Sequence, residues 1–180
     1  YQDNPLPQES EKNDLGIDSK IIDAAIKETK NRVDNLQKDL LDEVSTKIQE
    51  YATSFGMTSI TSVSLTSHPH LRLIKDGLQT TYSRCTKGEQ LRLKIASIIA
   101  LISIAEKRGI GRHPGILLID SPKAEEMVEQ DVDNLVGGLL KLTKDLPHIQ
   151  IILAATSSES ILRYLDEDHR KYAQGDSYLW

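Results

Sequence analysis

The chain has 180 residues, 38% of them hydrophobic, enough to bury one core and to form one domain. Its 22 basic and 27 acidic residues leave a net charge of −5, which excludes a uniformly basic nucleic-acid-binding surface, though not a local patch. A single cysteine excludes an internal disulfide, no apolar run reaches the length of a membrane span and no stretch reads as a signal peptide, so a reducing, cytoplasmic location is expected.

The chain begins at Tyr1 instead of Met, so a fragment or a processed product is expected. Residues Tyr1 to Asp14 are polar, hold Pro5 and Pro7 and show no periodicity. A disordered or linker segment is expected over 1–17. Asp18 or Ser19 can cap a helix that follows. From there Ile22, Ile26, Val33, Leu36, Leu40, Val44, Ile48 and Tyr51 fall at spacings of three, four or seven, one stripe of a long helix over 18–56. The spacing is close to a heptad, with Thr29 at one core position and a stutter through Leu40, Val44 and Ile48. An ordinary amphipathic helix fits this stripe. So does the returning end of a coiled coil that becomes a domain helix near Leu40.

Phe55-Gly56 ends the helix, and the remaining chain, 57–180, reads as one lobe. Val63 and Leu65 alternate with polar residues, as do Leu71 and Leu73; Asp76-Gly77 then predicts a hairpin turn into a strand over Leu78 to Tyr82. His68 and His70 flank Pro69, but no second group of ligand-type residues accompanies them, and a solvated turn is expected there. Leu91, Ile95, Ile98, Ile99, Ile102 and Ala105 give a strong helical stripe, stopped by Gly109. Ile116 to Ile119, ending in Asp120, reads as a buried parallel strand. A helix is expected over Ala124 to Leu146, stopped by Pro147, then a second fully buried strand over Ile149 to Ala155. A short helix from Ser158 to Tyr164 and a terminal strand over Ser177 to Trp180 follow. Strand, helix, strand, helix with continuous apolar strands predicts a parallel sheet.

Two places carry chemistry. Cys85-Thr86-Lys87-Gly88-Glu89 opens the long apolar helix. Thr86 with Glu89 three residues on is a capping box, and the same turn offers amides, a hydroxyl and Lys87 to an anion. Gly88 would let a phosphate approach the backbone. Asp120, at the carboxyl end of its strand and followed by Ser121-Pro122, stands where α/β sheets bind ligands and could help hold Mg²⁺ or simply cap the next helix.

Together these pieces resemble the signature motif and Walker B strand of ABC-type ATPase heads, closest to the SMC, RecF and RecN group. The resemblance covers roughly Val63 to the end. It implies an α/β fold: the parallel-sheet half of a P-loop NTPase-like head, with a small antiparallel meander and an amino-terminal helix from a coiled-coil base. It also implies an ATP and Mg²⁺ site. Thr86 matches the serine that touches the γ-phosphate of ATP held by a second head, Gly88 the second glycine and Glu89 the closing Gln/Glu. Lys87 replaces the first glycine and Cys85 the leading residue. Arg92 falls where many of these proteins carry a basic residue. Asp120 matches the Walker B aspartate. The general base that usually follows is replaced by Ser121, which cannot take a proton as a carboxylate does. Glu126, with Glu125 beside it, falls in the loop that meets the partner head; either could substitute as the base, or both could simply occupy the favourable first turn of a helix. Thr156 aligns with a switch histidine. Ser157 or Ser158 could equally cap the next helix.

No G-x-x-x-x-G-K-[ST] P-loop occurs in the chain. The resemblance therefore implies a carboxyl-terminal lobe that needs an amino-terminal P-loop lobe, from the same or a partner protein, and a second head as in a homodimer. Activity would be ATP hydrolysis only in that combination, with DNA as the implied substrate in repair, chromosome organisation or defence against foreign DNA. The other reading is a catalytically degenerate half-head that serves as a protein-interaction module. An ABC transporter subunit fits less well, given the stub helix and Ser121-Pro122.

Overall fold

Phe55, Ile48, Ile60, Leu73, Leu93, Ile99, Val132 and Leu135 are all fully buried, although they come from widely separated parts of the chain. Burying such side chains is the main favourable term in folding, at about 25 cal/mol per Å² of apolar surface. The elements that bring them together are seen in a computed structural model that describes residues 9–68, 70–120, 127–156 and 159–172.

Helix α1 spans Glu9–Ser54. Residues 9–17, expected as part of a linker, are helical, and the helix runs through Asp18 and Ser19, the expected caps; residues 1–8 of the expected linker lie outside the described residues. Glu9 to Lys12 favour helix well enough for an established helix to extend through them. The chain divides into two compact units, Tyr1–Leu40 and Leu41–Trp180. In the first, Ile17, Ile21, Ile22, Ile26, Val33 and Leu36 are all more than half exposed, so the apolar stripe lies bare. In the second, the same helix buries Val44, Ile48 and Ala52.

The second unit continues with β1 (Ile60–Leu65), β2 (Leu71–Lys75) and β3 (Leu78–Thr81), an antiparallel sheet in the order β1-β2-β3. Val63 pairs with Leu73, and a bulge lies between Ile60 and Ser62. Asp76 and Gly77 both have positive φ, 50° and 78°, as a tight two-residue hairpin turn requires. The α1 side chains close part of the β1 edge: Ser45 accepts from the Leu65 amide at 2.8 Å, and Gln49 donates to the Ile60 carbonyl at 2.6 Å.

Helix α2 (Lys87–Lys107) leads to β4 (Ile116–Asp120), α3 (Glu129–Asp145), β5 (Gln150–Ala154) and the short α4 (Glu159–Tyr164). Strands β4 and β5 pair in parallel, Ile116 with Gln150 through Asp120 with Ala154. Helix α3 begins later than its sequence pattern predicts: Val128 is the cap and Met127 lies buried just before it. The expected terminal strand over 177–180 lies outside the described residues.

The prediction of two fully buried strands is corrected. Leu117 and Ile119 are buried, but Leu118 is 71% exposed and Ile116 and Ile152 are each 47% exposed. A parallel strand that is apolar on both sides is buried on both only when two layers cover it. Here a single face is covered.

Glu43 joins α1 to the end of α2, with Lys107 at 2.8 Å and Arg108 at 2.6 Å. Hydrogen bonds from Lys107 and then Arg108 hold its pKa down from 4.5 to about 2. The folded value lies below the unfolded one. The stabilisation is therefore complete above about pH 4.5 and is lost as pH falls towards 2. Glu43→Gln is expected to flatten the melting temperature against pH in that window. Because the pair is exposed, high salt should flatten the wild type too. Identical profiles for both proteins at low salt would show that the bridge contributes nothing.

Candidate functional site

The carboxyl ends of β4 and β5 define one sheet edge. Asp120 is the last residue of β4, exposed, and paired in register with Ala154. Thr156, also exposed, follows two residues beyond that partner. The sheet thus delivers a carboxylate and a hydroxyl to the same edge. Ser121, Pro122, Glu125, Glu126, Ser157 and Ser158 lie outside the described residues.

The turn before α2 has the local structure its sequence predicts. Thr86 is extended (φ −62°, ψ 161°) and its hydroxyl accepts from the Glu89 amide, while the Glu89 carboxylate accepts from the Thr86 amide at 2.9 Å. This capping box leaves the Lys87 and Gly88 amides without a partner among the described residues. Burial pushes the Glu89 carboxyl up, but Lys75 and the Thr86 amide outweigh it and hold its pKa below the usual value. The Lys75 ammonium lies 2.8 Å away. The Cys85 side chain is buried and its thiol faces the Thr81 carbonyl; burial, then Glu89, raises its pKa, so it stays protonated. Lys87 is exposed.

Gly88 has a packing role that its sequence context does not reveal. A Cβ built there would sit 2.7 Å from Met127 Cγ. The open approach expected for a phosphate at this α-carbon is taken by Met127. The amide remains the group through which Gly88 can meet an anion.

Arg92 is the site's main connection and is 4% exposed. Its guanidinium donates to both Asp131 carboxylate oxygens at 2.9 Å, to the Phe55 carbonyl at 3.2 Å and to the Gly88 carbonyl at 3.3 Å. Two turns of α3 thus carry three carboxylates in use. Glu129 accepts from the Ser160 hydroxyl, Asp131 from Arg92, and Asp133 from Arg163 and Tyr164. Sequence reasoning missed Lys75, Met127 and Asp131. The signal for Asp131 was present: Arg92 lies on the line of Ile95, Ala96 and Ile99, and a charge in an apolar stripe needs a counter-ion.

Among the described residues, no group of three or more His, Cys, Asp or Glu side chains is arranged to hold a metal ion, and no helix is long and apolar enough to cross a membrane.

Removing one partner of a buried ion pair leaves the other uncompensated. Asp131→Ala is expected to cost about 3 kcal/mol in denaturant unfolding. The double variant Arg92→Met, Asp131→Leu should cost clearly less than the sum of the two single changes. Additive costs would mean that the pair does not act as a unit.

No family model matches the chain. No curated protein matches it either. Solved structures do. An Smc head domain with an extended coiled coil from Pyrococcus furiosus, bound to the C-terminal domain of ScpA, superposes with a TM-score of 0.60 at 14% identity over 87% of this chain. An Smc head domain with a coiled coil and joint from Pyrococcus yayanosii gives 0.59 at 15% identity over 81%. This chain spans 38% and 28% of those two chains' own length. A structure from work on ATP-driven dimerisation and DNA-stimulated activation of SMC ATPases gives 0.52 at 15% identity, over 73% of this chain and 78% of that one. The chain has the fold of the carboxyl-terminal lobe of an SMC-type ATPase head, including the long helix that leads into it.

Proposed function

We propose that the chain supplies one half of an SMC-like ATPase head, completed by an amino-terminal lobe that carries the P-loop. The uncovered apolar face of β4 and β5 carries this reading, because Asp120 ends the same sheet. A second layer laid on Ile116, Leu118 and Ile152 would bury that face and bring phosphates to the strand end. The bare stripe of α1 from Ile17 to Leu36 supports a second helix alongside it, as in a coiled coil.

The residues fit half of a nucleotide site. Mg²⁺ held with ATP would neutralise charge on the phosphates. Asp120 is the residue that would help hold it. Thr86 accepts from Glu89 and keeps its own hydroxyl proton, which it can donate to the γ-phosphate of ATP held by a second head. The amides of Lys87 and Gly88 and the positive helix end favour the same anion. Lys87 adds charge, Glu89 keeps the turn in shape, and Cys85 anchors it from the core. Thr156 can hydrogen-bond a phosphate or water without carrying charge. Ser121 cannot act as base, so Glu126 is the candidate for that role. Partner classes follow by analogy alone: a second head, DNA, and a protein like the ScpA domain seated on the Pyrococcus furiosus head. DNA repair, chromosome organisation and defence against foreign DNA are the processes that analogy suggests.

A degenerate half-head that only pairs with other proteins is the second reading. Met127 against Gly88 favours it, because it narrows the approach to the turn.

The test uses calorimetry. The chain alone is expected to show no ATP affinity, and affinity should appear once the P-loop lobe is supplied. Leu118→Asp, on the exposed face, should leave the chain's own stability within about 0.5 kcal/mol yet abolish association with that lobe. Micromolar ATP binding by the isolated chain would overturn the half-site reading. In the complete protein, ATP hydrolysis that falls in Asp120→Asn supports the enzyme; ATP-dependent pairing without hydrolysis supports the degenerate module.

A further inference from the structure

Two contacts grip the turn before α2, and both come from the start of α3: Met127, just ahead of its cap, and Asp131, in its first turn. Met127 fills the space at the Gly88 α-carbon. Asp131 holds the Arg92 guanidinium with two bonds of 2.9 Å, and the same guanidinium bonds the Gly88 carbonyl. Arg92 also ties down the Phe55 carbonyl at the end of α1, so the guanidinium cannot shift without breaking a third contact. A planar, bidentate fork fixes orientation as well as distance, which a lysine in its place would not. Helix α3 also packs against β5, the strand paired with the one that Asp120 ends, so the turn and the strand end are built on one frame.

We infer that Asp131 is a positioning residue for the Thr86–Gly88 turn. It acts through Arg92 and sets where the turn stands relative to Asp120. The inference rests on the proposed function, in which the turn meets the nucleotide of a second head while Asp120 meets the chain's own. In a pair of heads both must be engaged at once, so their spacing governs pairing and not the affinity of a single head for nucleotide. Asp131 touches neither nucleotide.

The experiment compares Asp131→Asn with wild type by two readouts. The first is native-state amide exchange at Glu89 and Gln90, whose amides close the first turn on Thr86. The second is the ATP concentration at half-maximal pairing of complete, two-lobed heads. Both are expected to rise about tenfold, the difference between a charged and a neutral hydrogen bond. Exchange in the middle of α3 and the nucleotide affinity of single heads should stay unchanged. Asp131→Glu, which keeps the charge, should restore both readouts. If Asp131→Asn does not fold, Arg92→Lys takes its place, with the same expectation. Unchanged exchange at Glu89 and Gln90 overturns the inference. So does faster exchange with an unchanged pairing midpoint, because the turn would then be held but not positioned for use. A wild type that binds nucleotide yet never pairs sinks the underlying reading first, and the inference with it.

Discussion

A guanidinium sealed inside an apolar core is the constraint on which the rest of this lobe depends. Arg92 carries its charge into a place where water cannot solvate it, so every neighbour must supply an acceptor. The end of α1 gives the Phe55 carbonyl, α2 gives the Gly88 carbonyl and α3 gives the Asp131 carboxylate. Three elements distant in sequence are thereby fixed at one point. A methionine of similar length could fill the space, but it would bring no reason for α3 to sit where it does. The same point fixes the Thr86–Gly88 turn, so the packing of the core and the shape of the candidate phosphate site are one problem.

The sheet poses the opposite problem. Its two strands are written for burial on both faces, yet one face is bare. Under the proposed function, this exposed apolar face is where the other lobe would sit. The bare stripe on α1 is a second such surface, in the other compact unit. Under the proposed function, other segments would cover both.

Local signals in the sequence were reliable where a short-range rule governs the outcome. Asp76-Gly77 made the hairpin its φ angles allow, Thr86 and Glu89 closed the capping box, and four apolar residues before Asp120 formed the parallel strand. Long-range facts were not legible. The partner of Arg92 lies 39 residues on, and nothing local says that Asp131, instead of Glu129 or Asp133, takes it. Gly88 looked like a phosphate glycine because its neighbours in sequence suggested one; the side chain against it comes from residue 127. Continuous apolar strands predict cover on both faces because periodicity reports what a strand can bury, not whether a second layer is present. The helix is already formed at Glu9, because propensity carries it past the point where the stripe fades.

The central claim is that another lobe covers β4 and β5. Leu118, 71% exposed, stands in the middle of the bare face. The most direct measurement is the reactivity of Leu118→Cys towards a thiol reagent, in this chain alone and in the complete protein. Cys85 is buried with its thiol protonated, so it adds little background. The account predicts fast labelling in the isolated chain and strong protection in the complete protein. Equal, fast labelling in both would contradict it, for the face would then be solvent-exposed in the assembled molecule and no second lobe would complete the site.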